Sequence, residues 1–163
     1  MNNAPFEINE KLITKINDLI QLDMDASYAF GQAIDGIEPE HAGVRSQLQA
    51  FKADHERHIL ELSNVVAAQG QDPPEYRRDF KGFLIEGMTA ARSALGTVQA
   101  LKAMLQNETL LFNRYEAACD LTELPEPILA IILRGRDDER RHLDYVEQAL
   151  AILQDRGAPS ARA

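Results

Sequence analysis

The chain has 163 residues, 45% hydrophobic and 26% charged, with 26 acidic against 17 basic side chains and a formal net charge of -9 at pH 7. That is the size of one domain with a sizeable core, and its acidity argues against nucleic acid and anionic membrane surfaces as partners. A single cysteine, Cys119, excludes a disulfide framework and any multi-cysteine zinc or iron site built from this chain alone.

The opening residues, Met1 to Pro5, carry no basic segment followed by an apolar run, and no stretch approaches the roughly 20 apolar residues of a membrane span. A soluble, cytoplasmic protein is expected, with one domain over residues 1–163, an ordered core over about 6–156 and a disordered tail beyond Gly157.

The periodicity predicts four helical blocks. The first runs from about Phe6 to Ile37, where Leu12, Ile16, Leu19, Asp23, Ala26, Phe30, Ala33 and Ile37 recur every three or four residues as one stripe. Asp23 is the only charge in it. A turn from Gly36 to Pro39 leads into a second block, about His41 to Gln69, whose stripe is Val44, Leu48, Phe51, His55, His58, Leu62 and Val65. Here two histidines hold core positions.

Pro73 and Pro74 then forbid continuation of the helix. The stretch from Gly70 to about Gly82, thirteen residues, is long enough to cross the length of a bundle, roughly 43 Å at ~3.3 Å per residue, so the second and third helices can run parallel. The third block, about Phe83 to Asp120, places Ala91, Ala94, Val98, Leu101, Leu105, Glu108, Phe112, Tyr115 and Cys119 on one face. A second register of this block, through Lys102, Thr109, Phe112 and Glu116, is nearly as good and would put a lysine in the core. The last block, about Pro127 to Asp155, carries Ile128, Ile132, Gly135, Glu139, His142, Val146, Leu150 and Leu153, with Pro127 suited to a first helical turn.

Two of these blocks share a local pattern, Asp54-His55-Glu56-Arg57-His58 and Asp138-Glu139-Arg140-Arg141-His142. Each follows an inward acid, Asp23 or Glu108, at nearly the same interval. Ligands at i and i+3 of a helix lie side by side and can grip one ion. Asp23 and His55 stand 15 and 16 residues from the first turn, and Glu108 and Glu139 each 15 from the last. Each pair therefore lies roughly 22 to 24 Å from its own connection at about 1.5 Å per residue, and the residues share one level halfway along. Burying three carboxylates in an apolar core would cost several kcal/mol each unless opposing charge is supplied. Mixed oxygen and imidazole ligands suit iron, manganese or zinc, and six of them favour two ions. Asp54 and Asp138, four residues before His58 and His142, are expected to accept the second ring N–H of the histidine on their own helix. Arg57 and Arg141 are expected to make surface pairs, and Tyr28, Tyr115 and Tyr145 to pack.

At these residues the chain resembles the ferritin-like di-iron superfamily, in its rubrerythrin and bacterioferritin branch and close to small bacterial ferritin-like proteins. The fold this resemblance implies is all-α, a ferritin-like four-helix bundle with a long connection between helices two and three. That family carries one Glu on each of helices one and three and Glu-x-x-His on each of helices two and four. Glu139-x-x-His142 matches fully, and His58 and Glu108 match the corresponding His and Glu. Asp23 stands where the first helix has Glu, and His55 where the second helix has Glu.

The resemblance implies two iron ions, with manganese or zinc as alternatives, and Asp23, His55, His58, Glu108, Glu139 and His142 as ligands, without catalytic groups separate from them. It implies oxidation of Fe(II) by oxygen or peroxide, or reduction of hydrogen peroxide, with electrons from Fe(II) or a redox partner protein, and a homodimer. Two other function classes stand beside it: a non-catalytic metal-binding or storage protein, and a metal-free dimeric scaffold in which a pair such as Asp23 with Lys102 satisfies the core.

Overall fold

Asn9 opens the first helix by accepting the Leu12 N–H on its side-chain oxygen at 2.9 Å, and Glu10 places a negative charge in the first turn. Helix α1 (Glu10–Asp35) continues to Gly36, whose N–H reaches back to Ala33 and Ile34. A single turn of 3-10 helix, Pro39–His41, then reverses the chain into α2 (Ala42–Ala68). Arg45 reaches across this turn and donates to the carbonyls of Ile34, at 2.9 Å, and Ile37. It thereby satisfies acceptors that the end of α1 leaves without helical partners. The other helices are α3 (Thr97–Cys119) and α4 (Glu126–Gly157).

This computed structural model describes residues 8–76, 96–122 and 124–157. Within them there are four α-helices and no strand, and no helix is long and apolar enough to cross a membrane. Phe83, Ala91 and Ala94, expected on the third helix, lie outside the described residues, as does the expected tail beyond Gly157. An unbroken third block from about Phe83 is not what forms, because Gly96 adopts φ +88°, a left-handed conformation outside the helical region. Helix α3 begins one residue later.

Two contacts fix the direction of α3. The Glu38 N–H donates to Thr97 Oγ1 and the Thr97 N–H to Glu38 Oε2, both at 3.1 Å, pinning the start of α3 to the α1–α2 turn. At the far end, the Ile8 N–H donates to Gln69 at 3.2 Å, next to the last turn of α2. Helices α2 and α3 therefore start at the same end and run parallel. Residues just beyond α2 already head back along α1: Gln21 donates to the Glu75 carbonyl at 2.8 Å, and Tyr76 stacks on Tyr28 at 6.4 Å. In the bundle, α1 packs chiefly on α2 and α3 chiefly on α4, with α1–α3 and α2–α4 completing the square.

The apolar core is split. One cluster gathers Ile16, Leu19, Ile20, Leu62, Val65, Leu111, Tyr115, Ile128 and Ile132. The other gathers Phe30, Ala33, Ile37, Leu48, Phe51, Leu101, Met104, Val146 and Leu150. Between them lies a polar layer, and each helix contributes to it. The two clusters supply the burial that stabilises the fold, a large side chain such as Leu62 being worth about 2–5 kcal/mol on truncation to Ala. The layer between them does something else.

Candidate metal centre

Helix α1 brings Asp23 into this layer, α2 brings His55 and His58, α3 brings Glu108, and α4 brings Glu139 and His142. All six side chains are buried, none more than 2% exposed. The i, i+3 spacing on α2 and α4 places each pair side by side, and the shared height expected from the sequence is realised. Helix α3 takes the register that buries Glu108 and leaves Lys102 exposed. No Lys102–Asp23 pair exists, and Glu56 lies on the surface, paired with Lys52.

The oxygen and nitrogen atoms of this layer form two overlapping groups. In one, Asp23 Oδ1 is 3.0 Å from His55 Nδ1 and 3.2 Å from His58 Nδ1. Glu139 Oε1 is 3.4 and 3.6 Å from the same two nitrogens. In the other, His142 Nδ1 is 3.0 Å from Glu108 Oε2 and 3.8 Å from Glu139 Oε2, and His55 Nε2 is 3.8 Å from Glu108 Oε1. Within each group one atom per residue lies within 4.8 Å of all the others.

Several of these atoms have nothing to bond to. His55 Nε2, Glu108 Oε1 and both Glu139 oxygens are buried without a hydrogen-bond partner in the protein. An orphaned buried polar atom costs about 1–3 kcal/mol, so such a concentration in one layer needs an external compensation. Divalent cations supply it, and the donor set of carboxylate oxygens and imidazole nitrogens fits them. The buried Asp, Glu and His side chains are thus placed to hold a metal ion.

Asp54 and Asp138 support the histidines, but not as their spacing suggested. His58 Nε2 meets Asp138 at 3.1 Å, and His142 Nε2 meets Asp54 at 3.1 Å. The pairing expected within each helix is exchanged between α2 and α4. With Nδ1 turned inward to the acids, the opposite edge of each ring crosses the seam, where the neighbouring helix's aspartate is within reach and its own is not. Arg57 donates to Asp54 at 2.9 Å and Asp138 at 2.6 Å; Arg141 donates to the same two residues at 2.8 and 2.6 Å. These four charges close a ring over the layer and fix both aspartates.

Tyr115, expected only to pack, donates its hydroxyl to Asp23 Oδ2 at 2.6 Å. Its ring occupies the space where a side chain at position 135 would be: a Cβ on Gly135 would stand 2.3 Å from Tyr115 Cε1. The sequence signal was a glycine on the α4 stripe one turn before Glu139, facing a tyrosine two turns beyond Glu108. Phe51 lies 4.1 Å from the His142 ring and Phe30 5.2 Å from that of His55, so aromatic walls bound the layer on the other side.

The electrostatics follow from crowding. Burial alone would raise the Asp23 and Glu108 carboxyls, yet His55 and His58 hold Asp23 below its ordinary range, and His142 with His55 brings Glu108 down to about 2. Burial likewise opposes the imidazolium forms. Asp138 and Asp23 nevertheless carry His58 up to about 9, Asp54 and Glu108 carry His142 to about 10, and Glu139 with Asp23 lifts His55 well above the usual histidine range. Glu139 is pushed to about 7 by burial, reinforced by the negative charge of Glu108. It is the member of the layer least well matched by the protein itself.

No curated protein matches the sequence. The family model of DUF2383, described as a domain of unknown function, matches residues 11–121. That span carries α1, α2 and α3 with Asp23, His55, His58 and Glu108, and ends before α4. The match extends over more than half of the chain, which therefore belongs to the DUF2383 family.

Proposed function

We propose that this chain is a dinuclear metal protein of the ferritin-like di-iron type, holding two iron ions and oxidising Fe(II) or reducing hydrogen peroxide. The observation that carries this reading is the meeting of six buried oxygen and nitrogen ligands from four helices, with four of their atoms lacking protein partners. A plain bundle has no use for such a layer. Bound iron would supply the electrons for reducing oxygen or peroxide.

The chain's own groups would do the rest. Asp54 and Asp138 hold the Nε2 protons of His142 and His58, leaving each Nδ1 lone pair for the ion. Tyr115 engages one oxygen of Asp23 and leaves the other for ligation, while Phe30 and Phe51 exclude water. Glu139 presents Oε1 to one group and Oε2 to the other and would be the carboxylate shared between them. Fe(II) itself or a redox partner protein would provide the electrons.

The test is anaerobic loading of the purified chain with Fe(II), followed by oxygen or peroxide. A ferric absorption band with consumption of the oxidant supports the reading, and bound iron that stays ferrous contradicts its redox part. One observation favours a second reading, a non-catalytic metal-binding role: His55 stands where a fourth carboxylate would balance a diferric pair. Retention of zinc or manganese without consumption of oxidant would support that reading.

A further inference from the structure

The two groups of ligands are unlike each other. For a four-coordinate ion with bonds of about 2.0–2.2 Å, ligand atoms at the corners of a tetrahedron stand roughly 3.3–3.6 Å apart. The four Nδ1-to-oxygen separations among Asp23, His55, His58 and Glu139 run from 3.0 to 3.6 Å. Four of the six edges of this cage are thus already close to the length an ion requires, and the remaining two lie within 4.8 Å. In the other group the corresponding separations run from 3.0 to 3.8 Å, two of them at 3.8 Å. Three atoms there, Glu108 Oε1, Glu139 Oε2 and His55 Nε2, have no partner, against Glu139 Oε1 alone in the first cage.

The asymmetry begins at His55. Its Nδ1 faces Asp23 and Glu139, and only the far nitrogen is turned toward Glu108. One imidazole cannot give the same nitrogen to both groups. The Asp23 group is also better braced, since Tyr115 fixes Asp23 and Asp138 fixes His58. Only Asp54 braces the other group in a comparable way.

Resting on the metal-binding reading, we propose that the two ions bind unequally and in order. Asp23, His55, His58 and Glu139 form a preorganised tetrahedral site that fills first. The second ion, held by Glu108, His142 and the remaining oxygen of Glu139, binds more weakly and with a more open coordination. Such a centre would accept two different metals, a four-coordinate ion such as zinc in the closed site and a more exchangeable one beside it.

Titration with Co(II) tests this without reference to activity, because four-coordinate Co(II) absorbs visible light much more strongly than five- or six-coordinate Co(II). The first equivalent should give the intense spectrum, the second should add little, and the two affinities should differ at least tenfold. In His142→Ala the first step should persist alone, whereas in His58→Ala the intense spectrum should be lost; circular dichroism checks that both variants fold. The wild-type titration is decisive even if a variant does not fold. Two equivalents binding together with equal affinity, or a weak spectrum for the first, would overturn the proposal while leaving metal binding intact. Failure to bind any Co(II) would overturn both.

Discussion

Gly135 is the position where a single atom decides the geometry of the layer. A methyl group there would collide with the Tyr115 ring, so Gly135→Ala must displace either the tyrosine or α4. Ala favours a helix over Gly by about 1 kcal/mol, whereas overpacking costs about 1–3 kcal/mol. The expected result is a net loss of stability in denaturant unfolding, together with weakened metal binding. A stabilised variant would show that Tyr115 yields easily. Tyr115→Phe keeps the packing and removes only the donor to Asp23, with an expected loss of about 1.5–3 kcal/mol because the acceptor is charged. At this scale the sequence was legible for the residues of the buried polar layer and poor for their supports. An acid or histidine on an apolar stripe stands out against its neighbours, while a tyrosine on such a stripe does not disclose where its hydroxyl points.

Across elements, the crossed aspartates give a sharper test. If Asp138 orients His58 and Asp54 orients His142, then Asp138→Ala should weaken binding at the His58 group by about 10- to 100-fold and spare the other. Asp54→Ala should do the reverse, and metal titration of the two variants would distinguish this exchange from pairing within each helix. Sequence spacing could not have revealed it. The i−4 relation describes one helix in isolation, whereas the observed contact depends on how closely α2 approaches α4. The helix boundaries were legible where prolines mark them, as at Pro39 and Pro127, whereas the Asn9 cap that opens α1 was not, the apolar period carrying the expected first block back to about Phe6. The connection length allowed the parallel course of α2 and α3, and the contacts of Glu38 with Thr97 established it. The start of α3 did not, because an apolar period continues through Gly96 and only the backbone conformation breaks it.

For the molecule as a whole, the charges of the layer set opposite pH responses with and without metal. His58 and His142 rise from an ordinary value of 6.5 to about 9 and about 10. The stability they contribute to the metal-free chain is complete below about pH 6.5 and is lost as pH rises through 9 to 10. Glu139, raised from 4.5 to about 7, acts in the same direction at lower pH, as its buried carboxyl ionises. Glu108, lowered to about 2, contributes stability above its ordinary 4.5 that is lost as the solution is acidified toward pH 2. Thermal melts of the metal-free chain should therefore peak in mildly acidic buffer and decline toward pH 10. Ions compete with protons for the same atoms, so in the loaded chain the affinity should rise with pH and offset the decline. Equal pH profiles for the two forms would mean that these residues hold no ion. Glu139 belongs to both groups of ligands, and Glu139→Gln also relieves a buried charge that the protein matches poorly; above pH 7 it should preserve or raise the stability of the metal-free chain. The most direct measurement is elemental analysis of wild type and Glu139→Gln, both purified, loaded with Fe(II) and desalted under anaerobic conditions. The account predicts close to two irons per wild-type chain and a severe loss in the variant. A wild-type chain that retains no metal, or a variant that retains as much as wild type, would contradict it.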